Sequence, residues 1–229
     1  MSDTLVAVRT KVRRRLDEVS ARFWADADLT DWINEASREV ARRAETLQTT
    51  QTLNVTGGQQ EYTLPVDVLR VHRVEFARDN SNVQPLEYRD FNTMDSIWWG
   101  SQRSTPGDPY WFTMWGFPPT LKLIVYPTPS TSIAAGFKIF YYRLPAVAAA
   151  DADPVEVPAG WDDVIVDYCE YSALRKDADG RWQEAKQLFE DKMMHMVDTT
   201  QRWIDSAGSY STGTGPLPRW VWDDGLGYY

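Results

Sequence analysis

Leu5, Val8, Val12, Leu16 and Val19 recur at steps of three and four residues, so one apolar stripe runs along a first helix that ends near Glu18. The arginines of the same segment fall largely off that stripe. A second helix follows, with Asp28 or Thr30 as a short polar N-cap and Asp31 in the first turn, where acids suit the helix dipole. Leu29, Ile33, Ala36, Val40, Ala44 and Leu47 form its buried face, and Glu39 precedes Arg43 by the four residues that favour an ion pair on the opposite face. After Leu47 the period shortens to that of strands. TQTLNV and QEYTLP, joined by TGGQ, predict a hairpin, because paired glycines supply the positive φ of a tight turn. VLRVHRVEF alternates through Val68, Val71, Val74 and Phe76 as a further strand. A helical or irregular stretch, YRDFNTMDSIWWG, follows it. PYWFTMWG and TLKLIVYP form a strand pair separated by Pro118 and Pro119, and GFKIFYYRLP closes the set.

Beyond an acidic, proline-bearing linker, AVAAADADPVEVPAG, the helical period returns. Val164, Ile165, Tyr168, Cys169, Ser172 and Ala173 share a face of a third helix, which Gly180 breaks. A long fourth helix, capped by Asp179 or Asp177, carries Trp182, Ala185, Leu188, Phe189, Met193, Met196 and Ile204. The pattern predicts an α+β fold. Residues 1–49 and 146–205 supply the N- and C-terminal helices of one bundle, and residues 50–145 form an inserted antiparallel β-rich subdomain. Residues 206–229 form an extended C-terminal arm. The arm has no periodicity and contains five glycines and two prolines, yet Pro216, Leu217, Pro218, Arg219, Trp220, Val221, Trp222, Leu226, Tyr228 and Tyr229 make it too apolar for a segment meant to stay in water. It is suited to docking on another surface.

Composition sharpens this picture in three places. Eleven Trp and eleven Tyr exceed what packing needs in 229 residues, and both are residues that interfaces favour. A formal charge of −9 argues against free binding to DNA or to an anionic membrane, and the charge is uneven. Residues 151–229 hold 16 acids against 7 bases, while the remainder balances at 17 of each. Within the balanced part Arg9, Lys11, Arg13, Arg14 and Arg15 form a dense basic run, a candidate face for an acidic neighbour or a nucleic acid backbone. A solvated or subunit-facing surface is the plainer role for it.

Candidate chemistry is sparse. The single cysteine, Cys169, excludes an internal disulfide and a cysteine metal cluster, and reads as a small core residue. His72 and His195 are solitary, so no metal site is expected, and no glycine-rich phosphate loop is present. Asp162 with Asp163, Asp223 with Asp224 and the Trp-rich stretch around Trp98 to Trp115 give a sugar-binding or sugar-cleaving alternative. No enzyme activity and no cofactor are expected. The N-terminus lacks a secretory core and no apolar run is long enough to span a bilayer, which points to a protein made and kept, or assembled, in cytoplasm without a membrane partner.

WADADLTDWINEASREVARR, EYTLPVDVLRVHRVEF and LKLIVYPTP together resemble the head-to-tail adaptor proteins of tailed bacteriophages, over roughly residues 5–205. Asp31, Trp32, Ile33, Asn34, Glu35 and Ala36 fill the family's helical pattern. Tyr62, Leu64, Pro65, Asp67, Leu69, Arg70, Val71, Arg73 and Val74 fill its strand pattern. The resemblance implies a structural subunit of the virion neck, assembled as a ring, usually twelve-fold, that joins the portal protein to the tail. Packaged DNA would pass through the ring without sequence-specific binding. It also implies that the C-terminal arm reaches the portal. The departure from the family is the tryptophan-rich sheet region, where Trp98, Trp99, Trp111 and Trp115 are a candidate surface for a tail nozzle, stopper or fibre protein.

Overall fold

The computed structural model describes residues 3–18, 21–79, 82–97 and 106–208, with side chains described up to residue 94 in the third of these segments and up to residue 202 in the last. The fold is α+β. The chain divides into two compact units, one of residues 3–47 with 144–208 and one of residues 48–143.

In the first unit, α1 (Leu5–Arg15) buries Leu5, Val8 and Val12. It stops three residues short of Glu18: Leu16 leaves the helical region and Asp17 takes a positive φ of 56°. α2 (Asp26–Ala44) buries Leu29, Ile33, Ala36, Val40 and Ala44, the stripe its spacing predicts, whereas Leu47 lies beyond the helix and is half-buried. Neither Asp28 nor Thr30 caps it. The helix begins one turn earlier, after Ala25, so that Asp26 and Asp28 occupy the first turn and the Thr30 hydroxyl donates to the carbonyl of Asp26.

Residues 144–161 are less a linker than part of the core. Val155 N–H donates to Asp3 O and Leu5 N–H to Asp153 O, and Ala148, Val155 and Val157 are buried. Asn34, itself buried, exchanges two hydrogen bonds of 2.9 Å with the backbone of Ala148. A buried amide with both ends satisfied fixes the place of this segment against α2.

After the strands and short helix of the second unit, whose ranges follow, the chain continues as α4 (Asp162–Lys176) and α5 (Trp182–Gly208). α4 buries Val164, Ile165, Tyr168, Cys169 and Ala173 as expected, leaves Ser172 half-buried, and also buries Val166 and Asp167, so it is covered on most of its circumference. Asp179 accepts from the Arg181 N–H at 2.9 Å and caps α5. Along α5 the buried stripe is Phe189, Met193 and Met196, while Leu188 stays 40% exposed. The side chain of Ile204 lies outside the described residues.

The second unit holds β1 (Gln48–Val55), β2 (Glu61–Thr63), β3 (Val68–Asp79), β4 (Asn82–Pro85), β5 (Glu87–Tyr88), α3 (Phe91–Ile97), β6 (Pro106–Gly107), β7 (Trp111–Trp115), β8 (Lys122–Tyr126), β9 (Thr128–Pro129) and β10 (Ile133–Arg143). Two four-stranded sheets run β1-β10-β3-β4 and β2-β8-β7-β5, with β6 and β9 as a short separate pair. Pairing is antiparallel apart from β5 with β7 and β6 with β9. Val71, Val74, Phe76, Phe137 and Ile139 of the first sheet and Phe112, Leu123 and Val125 of the second belong to one core.

The predicted β1–β2 hairpin is not formed. β1 pairs with β10 and β2 with β8, so the TGGQ turn carries the chain from one sheet to the other. Gly58 has the expected positive φ of 80°, but its N–H donates to Pro129 O rather than across a hairpin. Tyr62 accounts for the change of partner: its side chain is buried in the shared core and its hydroxyl donates to Gln59 O at 2.9 Å, tying the strand to the turn from the side. The β7–β8 pair is as expected, with Trp111 opposite Tyr126 and Trp115 opposite Lys122.

Candidate interaction surfaces

Of the five basic residues on α1, four are paired with carboxylates of the same unit. Arg9 meets Asp151 and, at 3.7 Å, Asp26. Lys11 meets Asp3 and, at 3.7 Å, Asp162. Arg15 meets Glu170 at 2.7 Å and Asp167 at 3.2 Å. Arg13 is buried, against the expectation that the arginines lie off the packed stripe, and donates to Glu18, to Asp26 and to the carbonyl of Trp24. Arg14 is exposed. Four of the five charges are therefore met within the same unit, by Asp3, Glu18, Asp151 and acids of α2 and α4.

Glu18 organises the connection between α1 and α2. Its carboxylate, 10% exposed, accepts from the backbone N–H groups of Arg22, Phe23 and Trp24 as well as from Arg13. Burial opposes its ionisation, but these donors outweigh it and hold the carboxyl below its ordinary range. Asp26 is lowered as well, by its hydrogen bond to Arg13 and by the charges of Arg9 and Arg13.

Asp167 behaves in the opposite sense. Only 2% of its side chain is exposed, and Lys192 of α5 approaches to 2.5 Å with Arg15 of α1 on the other side. Burial pushes its carboxyl up, and the two cations offset that only in part. Lys192 also reaches Asp163 at 2.8 Å, so three helices meet at one partly desolvated charge cluster.

Exposed aromatic residues occur in each unit. In the helical unit Phe23 is 67% exposed and stacks edge-on against Trp24, which in turn packs on Trp32. The Lys176 ammonium lies 5.7 and 5.5 Å from the two indole rings while paired with Asp28 at 2.9 Å. This patch joins residues 150 positions apart, and nothing in the local sequence pattern marks it. In the β unit, Trp115 is 58% and Phe117 77% exposed at the β7–β8 turn, with Phe91 of α3 packed 4.7 Å from Trp115. Trp111 is half-buried, its indole N–H donating to Glu87 at 3.0 Å and Arg89 lying over its ring. Of the two described tryptophans singled out in this region, Trp115 is open and Trp111 is engaged in its own fold. Trp98 and Trp99 lie outside the described residues, as does the whole arm from Pro216 to Tyr229.

His72 is half-buried on β3, its imidazole shifted toward the neutral form by burial and by Arg70 and Arg73. His195 is exposed, 5.5 Å from the ring of Trp161. Cys169 is fully buried and its thiol is pushed up by that burial, which suppresses thiolate reactivity. Among the described residues no group of three or more His, Cys, Asp or Glu is placed to hold a metal ion. No helix among them is long and apolar enough to cross a membrane.

No curated protein matches the chain. The SU10 adaptor protein family model matches residues 3–214, which takes in both units. With charge clusters that serve packing and a few open aromatic residues in each unit, this α+β chain belongs, over nearly its whole length, to the SU10 adaptor protein family of bacteriophage structural proteins.

Proposed function

We propose that this chain is the neck subunit that joins the portal protein to the tail, assembled as a twelve-membered ring around the DNA channel. Family membership over residues 3–214 carries the reading. The internal neutralisation of the α1 basic run agrees with it, because a channel wall must let DNA pass without holding it. Exposed charges of both signs, among them Arg14, Arg38, Arg42, Glu184 and Asp191, then set the outer field.

In this reading the arm from Pro216 to Tyr229 docks on the portal. Each buried Trp or Tyr anchor contributes about 1.5–3 kcal/mol, and ring closure raises the effective concentration of every arm once a few are engaged. Trp115 and Phe117 at the β7–β8 turn supply the surface for a nozzle, stopper or fibre protein. Native mass spectrometry of the portal ring mixed with the full chain, and with a chain ending at Ser211, tests the assignment. The full chain is expected to load the portal and the shortened one to fail. Equal loading by both would remove the arm from the docking step, and no loading by either would remove the portal as partner.

A further inference from the structure

Four strands end the two larger sheets, and three of them are guarded. β4 is four residues long and closes on Pro85, which has no N–H to offer. β2 is three residues long and carries Glu61, paired with Lys122 at 2.6 Å. β5 has two residues, one of them Glu87. The fourth, β1, has none of these protections. Its eight residues, QTTQTLNV, contain no charge and no proline, and its pairing with β10 is regular from Gln48 to Leu53. Gln48, Thr50, Gln51, Thr52 and Asn54 are exposed. Among the described residues the backbone of β1 bonds to β10 alone, and its outer row of N–H and C=O groups meets no partner among them. A long, uncharged, β-branched edge is the arrangement that natural sheets avoid unless the edge is to be paired.

A second feature lies beside that edge. Gln48, Thr50, His72, Phe140 and Tyr142 line a cleft of about 170 Å³ on the β1-β10-β3 face. The Nδ1 atom of His72 is buried there without a hydrogen-bond partner, a cost that an incoming side chain with a polar end would relieve. An edge that reads backbone next to a pocket that reads a side chain is the pairing by which sheets recognise extended peptides.

We propose that β1 takes an extended segment of a different protein of the particle as an added strand, with one long, polar-ended side chain of that segment seated in the His72 cleft. The inference rests on the ring reading above. In a cyclic ring every contact joins unlike patches, so β1 cannot pair with β1 of another copy, which would need a two-fold axis. The remaining edges of a second copy, β4, β2 and β5, are too short to match eight residues. Among the described residues no edge of a second copy fits, and we assign the strand to a different chain. Its face toward the core side is apolar near Leu53, which is half-buried on β1, and its other face is polar, against Thr50 and Thr52.

Amide hydrogen exchange over residues 48–55, in the free full-length chain and in purified particles, tests the proposal. The outward amides should exchange at least about tenfold more slowly in the particle than in the free chain. A Thr50→Lys, Thr52→Lys chain, whose charges sit on the exposed face, should form rings as wild type does and lose that protection. Equal exchange in free chain and particle overturns the proposal and leaves the neck assignment standing. Protection already present in a free chain of dimeric mass also overturns it, because the partner would then be a second copy. If the particle lacks the chain altogether, the neck assignment fails and the proposal with it.

Discussion

At the level of single residues, neighbours in the same basic run have unrelated roles, and burial decides which. Arg13 sits at 8% exposure between Glu18, Asp26 and the Trp24 carbonyl, whereas Arg14, next in sequence, is exposed. Arg13→Met keeps much of the volume but leaves the Glu18 carboxylate facing the gap with only its backbone donors. Asp26, with 58% of its side chain exposed, can turn to water. The expected cost is about 2 kcal/mol, below the full penalty for a broken buried pair, and roughly 4–8 °C in melting temperature for a chain of this size. Arg14→Met should stay within about 0.5 kcal/mol. The difference is also pH-dependent. Glu18 and Asp26 both have lowered folded-state pKa values, so their contribution is present above the ordinary carboxylate range and is lost as the pH falls through the folded values. Melting curves of wild type and Arg13→Met should therefore converge in acid. Asp167, whose carboxyl is raised, changes stability in the other direction and affects both proteins alike. A gap that widens on acidification would refute the account of the α1–α2 corner.

Between residue and molecule, legibility follows from how local each element's partners are. The stripes of α1 and α2 were readable because a helix makes its own hydrogen bonds and only its apolar face needs a neighbour. The hairpin fails to form for the converse reason: β1 and β2 have turn chemistry between them, but their partners, β10 and β8, lie 59 or more positions further along the chain. β4 and β5 are too short to show a period at all. In α5 the misleading signal is composition, since Leu188 and Met193 look equivalent in sequence although one is 40% exposed and the other fully buried. Met193→Ala should cost about 2–4 kcal/mol through the cavity it leaves, and Leu188→Ala about 0.5 kcal/mol or less, as read from denaturant midpoints. Equal costs would mean that the described register of α5 is wrong by a residue. The interaction surfaces were less legible than the helices. Trp115 was identifiable from aromatic density, but the patch of Phe23 and Lys176 and the open edge of β1 exist only once distant segments are brought together.

At the scale of the whole chain, the relation between the two units follows from where the insertion begins and ends. Among the described residues, none of 48–143 belongs to the helical core and none outside that span belongs to the main core of the β unit. Gln48 and Tyr142 are cross-strand partners, so their Cα atoms stand roughly 5 Å apart and the chain enters and leaves the β unit at one place. A connection of about three or four Gly and Ser residues from Leu47 to Leu144 can span such a gap without strain. The shortened chain is therefore expected to melt in one cooperative transition with helical circular dichroism, and residues 48–143 alone should give a dispersed amide spectrum. The helical half has more at stake, because its two segments come from opposite ends of the sequence and must find each other across the insertion. A folded β unit already holds its two ends together, so replacing its 96 residues by a short connection should leave the stability of the helical unit within about 1 kcal/mol. If the shortened chain instead melts without a cooperative transition, the helical core needs the β unit to fold, and the two cores are coupled in a way their separate side-chain clusters do not reveal.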